Sequence, residues 1–136
     1  MILADSSAWV EYDRATGSAV DRRLLSLIEG GGALAVTDPV VMEVTAGARD
    51  DRSAARLRNL LLSFSVLPFD AAADFDAAAR IYRRCRRAGI TPRGMVDCMI
   101  AAVAWRHGAA LLALDADLAR VATVMGIELD QPGELA

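Results

Sequence analysis

Apolar positions along the chain alternate between two patterns. Residues 2–4, 33–37, 66–69 and 111–114 are short, nearly continuous apolar runs, and 127–129 is a weaker one. Runs of this length suit strands buried on both faces of a parallel sheet. Between them lie longer segments with apolar residues three and four apart, the helical spacing. These predict helices over 7–14, 18–29, 38–47, 49–62, 71–88, 94–107 and 118–125. Val20, Leu24, Leu25 and Ile28 form one such stripe, and Leu57, Leu60 and Leu61 another. Asp38-Pro39 reads as an N-cap followed by proline at the first helical position, and Asp70 as the cap of the 71–88 helix. The 94–107 helix is apolar nearly all round and should be buried. Strands alternating with helices predict an α/β fold: a three-layer α/β/α sandwich around a mostly parallel sheet of four to five strands.

The chain has 136 residues, the size of one domain, so a single domain over 1–136 is expected, with 131–136 as a loose tail. Hydrophobic residues make up 54% and charged ones 24%, which excludes intrinsic disorder. The longest strictly apolar run, residues 98–105, is far short of a membrane span, and the N-terminus lacks the basic segment of a secretory signal. Cys85 and Cys98 both fall in helical patterns and read as reduced core residues. A cytoplasmic protein without membrane association is expected. All 15 basic residues are Arg, and against 18 acids the net charge is −3. Taken alone, that balance argues against a nucleic-acid partner.

In parallel α/β sheets the working site lies at the carboxyl ends of the strands, where strand order reverses. Asp5 directly follows the first strand, Asp115 follows 111–114, and Asp117 comes two residues later. Each could instead be a helix N-cap. Asp97 sits in the first turn of the apolar 94–107 helix. A buried carboxylate there costs several kcal/mol unless paired, protonated or bound to a cation. Arg93, four residues earlier, is the structural alternative as its ion-pair partner. Glu43 is flanked by Val40, Val41, Met42 and Val44 and is either an exposed helix residue or a fourth acid of the site. If these acids converge, each like-charged pair at about 4 Å costs on the order of 4 kcal/mol at an effective dielectric near 20. The pocket then needs a cation. Oxygen-only donors select Mg²⁺ or Mn²⁺, which suit phosphodiester hydrolysis. The single histidine, His107, lies at the far end of the helix from Asp97. Gly30–Gly32 lack the residues of a phosphate-binding loop, and no GxSxG elbow occurs.

These residues resemble a known family. The opening Ile2-Leu3-Ala4-Asp5-Ser6-Ser7-Ala8-Trp9-Val10, then Val41-Met42-Glu43-Val44, Val96-Asp97-Cys98-Met99-Ile100-Ala101-Ala102 and Leu114-Asp115-Ala116-Asp117-Leu118 are similar, in order and spacing, to PIN-domain ribonucleases of the VapC toxin type. The chain departs from the family's usual pattern at Ala4 and Leu118, both conservatively. The resemblance implies an α/β/α sandwich and a Mg²⁺- or Mn²⁺-dependent endoribonuclease. It also implies a homodimer and a small VapB-type antitoxin that neutralises it. It carries the acidic cluster to Asp5, Glu43, Asp97 and Asp115, with Asp117 as a further ligand and Ser7 as support. Arg80, Arg84, Arg87 and Arg93 belong to a stretch, 77–96, with six arginines and no acid, and are candidate RNA contacts. The competing functions are a non-catalytic RNA-binding module of the same fold and a Mg²⁺-dependent phosphatase of the haloacid-dehalogenase type. The phosphatase would need an Asp where Ser7 stands.

Overall fold

The structure is a computed structural model and describes residues 1–130. Four strands, β1 (Ile2–Ala4), β2 (Leu34–Thr37), β3 (Ser65–Leu67) and β4 (Ala110–Leu112), form one parallel sheet in the order β3-β2-β1-β4. Ile2 and Leu3 pair with Leu34 and Ala35 on one side and with Ala110 and Leu111 on the other. Parallel neighbours need long crossovers, and the helices supply them. These are α1 (Ser6–Asp13), α2 (Ala19–Glu29), α3 (Asp38–Ala46), α4 (Asp51–Leu62), α5 (Ala71–Arg87), α6 (Met95–His107) and α7 (Ala116–Met125). The expected helix-flanked parallel sheet is therefore present. Its strand order reverses between β1 and β4.

Leu3, Ala4, Ala35, Val36, Leu111 and Leu112 are fully buried, as a sheet covered on both faces requires. Trp9 of α1 packs edge-on to Tyr12 and tilted against Phe64, with ring centroids 6.0 and 5.5 Å apart. The middle of α6, from Cys98 through Ala104, is buried apart from a partly covered Met99, while Met95 and Trp105 reach solvent at its ends. Both cysteines are buried and free. Helices α6 and α7 end on Gly108 and Gly126, whose φ of 63° and 69° place them in the left-handed region that favours glycine. Among the described residues no helix is long and apolar enough to cross a membrane.

Several boundaries differ from the sequence pattern, each for a local reason. Strand β4 stops at Leu112 rather than at Leu114, because the Leu114 N–H leaves the sheet to donate to Ser7 Oγ at 2.9 Å. Strand β3 ends at Leu67, since Pro68 has no N–H to give and the Phe69 N–H donates to Asp38 Oδ2 at 2.8 Å. Asp38 is thus not the N-cap of α3. Thr37 holds that place, and the Asp38 carboxylate ties the end of β3 to the start of α3. The expected fifth strand is reduced to a single parallel bridge between Leu111 and Leu129. Arg23 fixes that segment through two hydrogen bonds to the Asp130 carboxylate, at 2.8 and 3.0 Å. The expected tail, 131–136, lies outside the described residues.

One charged pair does core work that the apolar pattern did not disclose. Asp74 in the first turn of α5 is 1% exposed and takes two hydrogen bonds from Arg106 near the end of α6, at 2.9 and 2.7 Å. The same guanidinium donates to the Pro68 carbonyl, and the Asp70 N–H donates to Asp74. Burial alone would raise the Asp74 carboxyl, but these donors outweigh it and hold the group below the usual carboxylate range. Arg106→Ala strands a buried carboxylate and should cost about 3–5 kcal/mol in urea unfolding. Asp74→Ala leaves only a partly exposed guanidinium and should cost less. Equal losses in the two variants would refute this assignment.

Candidate acidic active site

The site forms where the sheet's order reverses, because two neighbouring strands each end in an aspartate that begins a helix. Asp5 leaves β1 and caps α1: its Oδ1 accepts the Ala8 N–H at 3.2 Å. Asp115 follows β4 and caps α7: its Oδ1 accepts the Asp117 N–H at 2.9 Å. Capping and membership of the site are therefore not alternatives here. The cap geometry is what holds each carboxylate at the sheet's carboxyl edge.

Ser7 joins the two. Its hydroxyl donates to Asp5 Oδ1 at 2.7 Å and accepts the N–H groups of Leu114 and Asp115, at 2.9 and 3.3 Å. The Asp5 N–H donates to the Leu112 carbonyl at 3.0 Å. One small side chain thus registers the exits of β1 and β4 against each other. Ser6, which the sequence reading passed over, plays the matching part for α3. Its hydroxyl donates to Glu43 Oε1 at 2.6 Å and fixes an otherwise exposed glutamate over the cluster.

The electrostatics couple all five acids. Asp5 is 3% exposed, and burial raises its pKa to about 7; the Ser7 and Ala8 hydrogen bonds oppose that rise, while Asp97 and Asp115 add to it. Asp97, half-buried in the first turn of α6, is raised to about 6 by burial and then by Asp115, Glu43 and Asp117. Arg93 pulls the other way, but it does not pair with Asp97 as a helix-start ion pair would. Its Nη2 donates to Asp115 Oδ1 at 3.0 Å and its Nε to Asp117 Oδ2. Arg120 takes the other Asp117 oxygen at 2.8 Å. Five carboxylates thus face two guanidinium groups, and both belong to the Asp115–Asp117 side.

As placed, no three His, Cys, Asp or Glu side chains among the described residues stand close enough to hold a metal ion. The hydrogen bonds say why. Asp5 is committed to Ser7 and the α1 backbone, and Asp115 and Asp117 face Arg93. The donor chemistry still fits a hard divalent cation. It is all oxygen, strongly anionic and short of counter-charge, and His107 and both cysteines stand elsewhere. The remaining predicted residues lie apart. Arg80 pairs with Asp76 on its own helix, while Arg84 and Arg87 line, with Trp105 and Met125, a cleft of about 280 Å³. A second cleft, about 330 Å³, opens beside Glu43 between α1, α3 and α4 and carries Arg14, Arg49 and Arg56.

The PIN domain family profile matches residues 2–124. The VapC ribonuclease Mb1587 of Mycobacterium bovis is 49% identical over 131 residues, covering 94% of this chain and 96% of the relative. Ribonuclease VapC11 of Mycobacterium tuberculosis matches to the same extent. Among solved structures, VapBC2 from Rickettsia felis bound to a DNA fragment superimposes with a TM-score of 0.74 at 17% identity. That match covers 98% of this chain and 100% of the other, a likeness of fold.

The raised carboxyls carry a stability signature. In the cation-free protein the folded state keeps protons on Asp5 and Asp97 that the unfolded chain has lost above its ordinary value of 3.8. Stability should therefore fall as pH rises from about 4 through 6 and 7. The contribution of Asp74 has the opposite sign and acts at lower pH, where its depressed carboxyl finally protonates. Urea midpoints measured with chelator across this range should fall for the native chain. They should flatten in Asp97→Asn, which should be the more stable protein at pH 8. An unchanged slope would contradict the coupling.

Proposed function

The chain belongs to the PIN-domain family, and from that premise we propose that it is a metal-dependent endoribonuclease of the VapC toxin type, held in check by a VapB-type antitoxin. One observation carries the reading: Asp5 and Asp115 leave adjacent strands bridged by a single serine, and Asp97 lies close enough to both for like-charge repulsion to raise the carboxyls of Asp5 and Asp97. This is a complete acidic set rather than the remnant expected of a binding module that has lost catalysis. A phosphatase reading fits less well, because Ser7 is spent on holding the strand exits together and Asp5 is tied by the same contact.

Asp5, Asp97 and Asp115, with Asp117, are the residues that would hold Mg²⁺ or Mn²⁺. Such an ion, when bound, neutralises the carboxylates, lowers the pKa of a coordinated water and offsets charge developing on a phosphate. The chain's own contributions are positional. Ser7 keeps Asp5 pointed into the cluster, and Asp97 and Asp115 stand at the N-termini of α6 and α7. Glu43, steered by Ser6, stands at the edge of the cluster as the acceptor for a proton from an attacking water. Arg84 and Arg87 supply exposed charge for the RNA backbone, and Arg80 does so once released from Asp76. Action on cellular RNA places the protein in the cytoplasm, and we assign it the homodimer and antitoxin complex of its family.

Asp5→Asn and Asp97→Asn should abolish Mn²⁺-dependent cleavage of RNA and relieve growth inhibition while circular dichroism stays native. Glu43→Gln should slow cleavage on the order of 10²-fold, and Ser7→Ala about 10- to 100-fold through loss of ligand orientation. Cleavage by purified Asp97→Asn at the native rate would overturn the assignment.

A further inference from the structure

Arg93 stands apart from the other arginines of its stretch. It lies on the connection between α5 and α6, with buried Pro92 on one side and, on the other, Gly94, which faces open space among the described residues. Its side chain is 76% exposed, whereas the carboxylates it holds are 25% and 17% exposed. The guanidinium therefore sits on the solvent side of Asp115 and Asp117, across the mouth of the cluster. It reaches two different carboxylates through two different nitrogens, and Nη1 has no hydrogen-bond partner among the described residues. Asp117 also accepts from Arg120, three residues along α7, on its other carboxylate oxygen.

From this placement we propose that Arg93 is an internal competitor for the cation: it holds Asp115 and Asp117 in the empty site, and cation binding releases it to the phosphates of the substrate. The inference rests on the cation-dependent reading given above. The acids that need counter-charge are the ones Arg93 occupies, so the two cations cannot both be served fully by the same oxygens. Asp115 and Asp117 face Arg93, which accounts for the absence of a closed ligand set among the described residues. The contact is also weak enough to exchange. Exposed ion pairs shift an equilibrium by at most about fivefold each, so a divalent ion can displace the arginine at modest loss of affinity. Once displaced, the guanidinium stays tethered between α5 and α6 at the entrance, where a two-pronged donor suits phosphate oxygens.

The test is Mn²⁺ binding by calorimetry to the full chain, with Arg93→Gln, Arg93→Lys and the control Asp97→Asn. Arg93→Gln should bind Mn²⁺ roughly three- to tenfold more tightly, while its KM for RNA rises. Arg93→Lys should fall between it and the native chain in Mn²⁺ affinity, because a single ammonium cannot span both carboxylates as the fork does. Equal or weaker Mn²⁺ binding by Arg93→Gln would overturn the proposal, and an unchanged KM would overturn the transfer to substrate. The two readings fail differently. If the folded native chain takes up no Mn²⁺, the cation-dependent function falls; if it binds Mn²⁺ and Arg93→Gln binds it no better, only the competitor role falls.

Discussion

The repulsion among carboxylates at the carboxyl edge of β1 and β4 is the constraint around which the molecule is organised. Strand order reverses at that point, so two helices begin side by side with their N-termini facing one cleft. Their dipoles and free N–H groups favour negative charge. The apolar strands and α6 beneath the cleft take water away and push Asp5 and Asp97 toward protonation. These two influences oppose each other within a few ångströms. The result is a cluster that is stable as a fold yet electrostatically unfinished, which is the condition that makes an external cation useful.

Ser7 shows how little is needed to hold such a cluster. A single hydroxyl serves three partners: it gives its proton to Asp5 and takes the N–H groups of Leu114 and Asp115. This contact also shortens β4, because the Leu114 N–H is diverted from the sheet. The site and the sheet boundary are thus one structural fact. The Asp74–Arg106 pair solves a related problem far from the cleft in a different way. There a buried carboxylate meets a full set of donors, its pKa falls, and the charge is settled. At the cleft the carboxylates outnumber the guanidinium groups, and the charge is left available.

Most of the architecture was legible because strand runs and helical stripes differ in period, and because Asp5 and Asp115 directly follow the two apolar runs that become neighbours. What escaped the sequence depended on contacts between distant residues. The Asp38 carboxylate looked like a cap but serves Phe69, 31 residues away. Asp74 and Arg106 stand 32 residues apart in sequence, and only the packing of α5 on α6 makes the guanidinium the partner of the buried carboxylate. Ser6 carried one available signal, a second hydroxyl beside Asp5, yet its role with Glu43 needs α1 and α3 side by side. Arg93 was equally ambiguous. Its spacing to Asp97 suggested an ion pair within the helix start, whereas the extended backbone at Gly94 keeps Arg93 off the helix and its guanidinium reaches the neighbouring acids.

The net charge of −3 bears on how the cleft can be used. A polyanion approaching five carboxylates and two guanidinium groups meets repulsion where the chemistry has to occur, while Arg84 and Arg87, in a separate cleft with Trp105 and Met125, attract it elsewhere. Those two forces cannot place a phosphate over the acids, because the attraction acts away from the acidic cleft and the repulsion acts inside it. Neutralising the acids removes the second force without touching the first. On the proposed exchange it also frees Arg93, which already lies at the mouth, from Asp115 and Asp117, so that its charge is uncompensated there just as negative charge is neutralised inside. Both changes shift the local field in the same, positive direction, so on the proposed reading RNA binds productively once a cation occupies the acidic site.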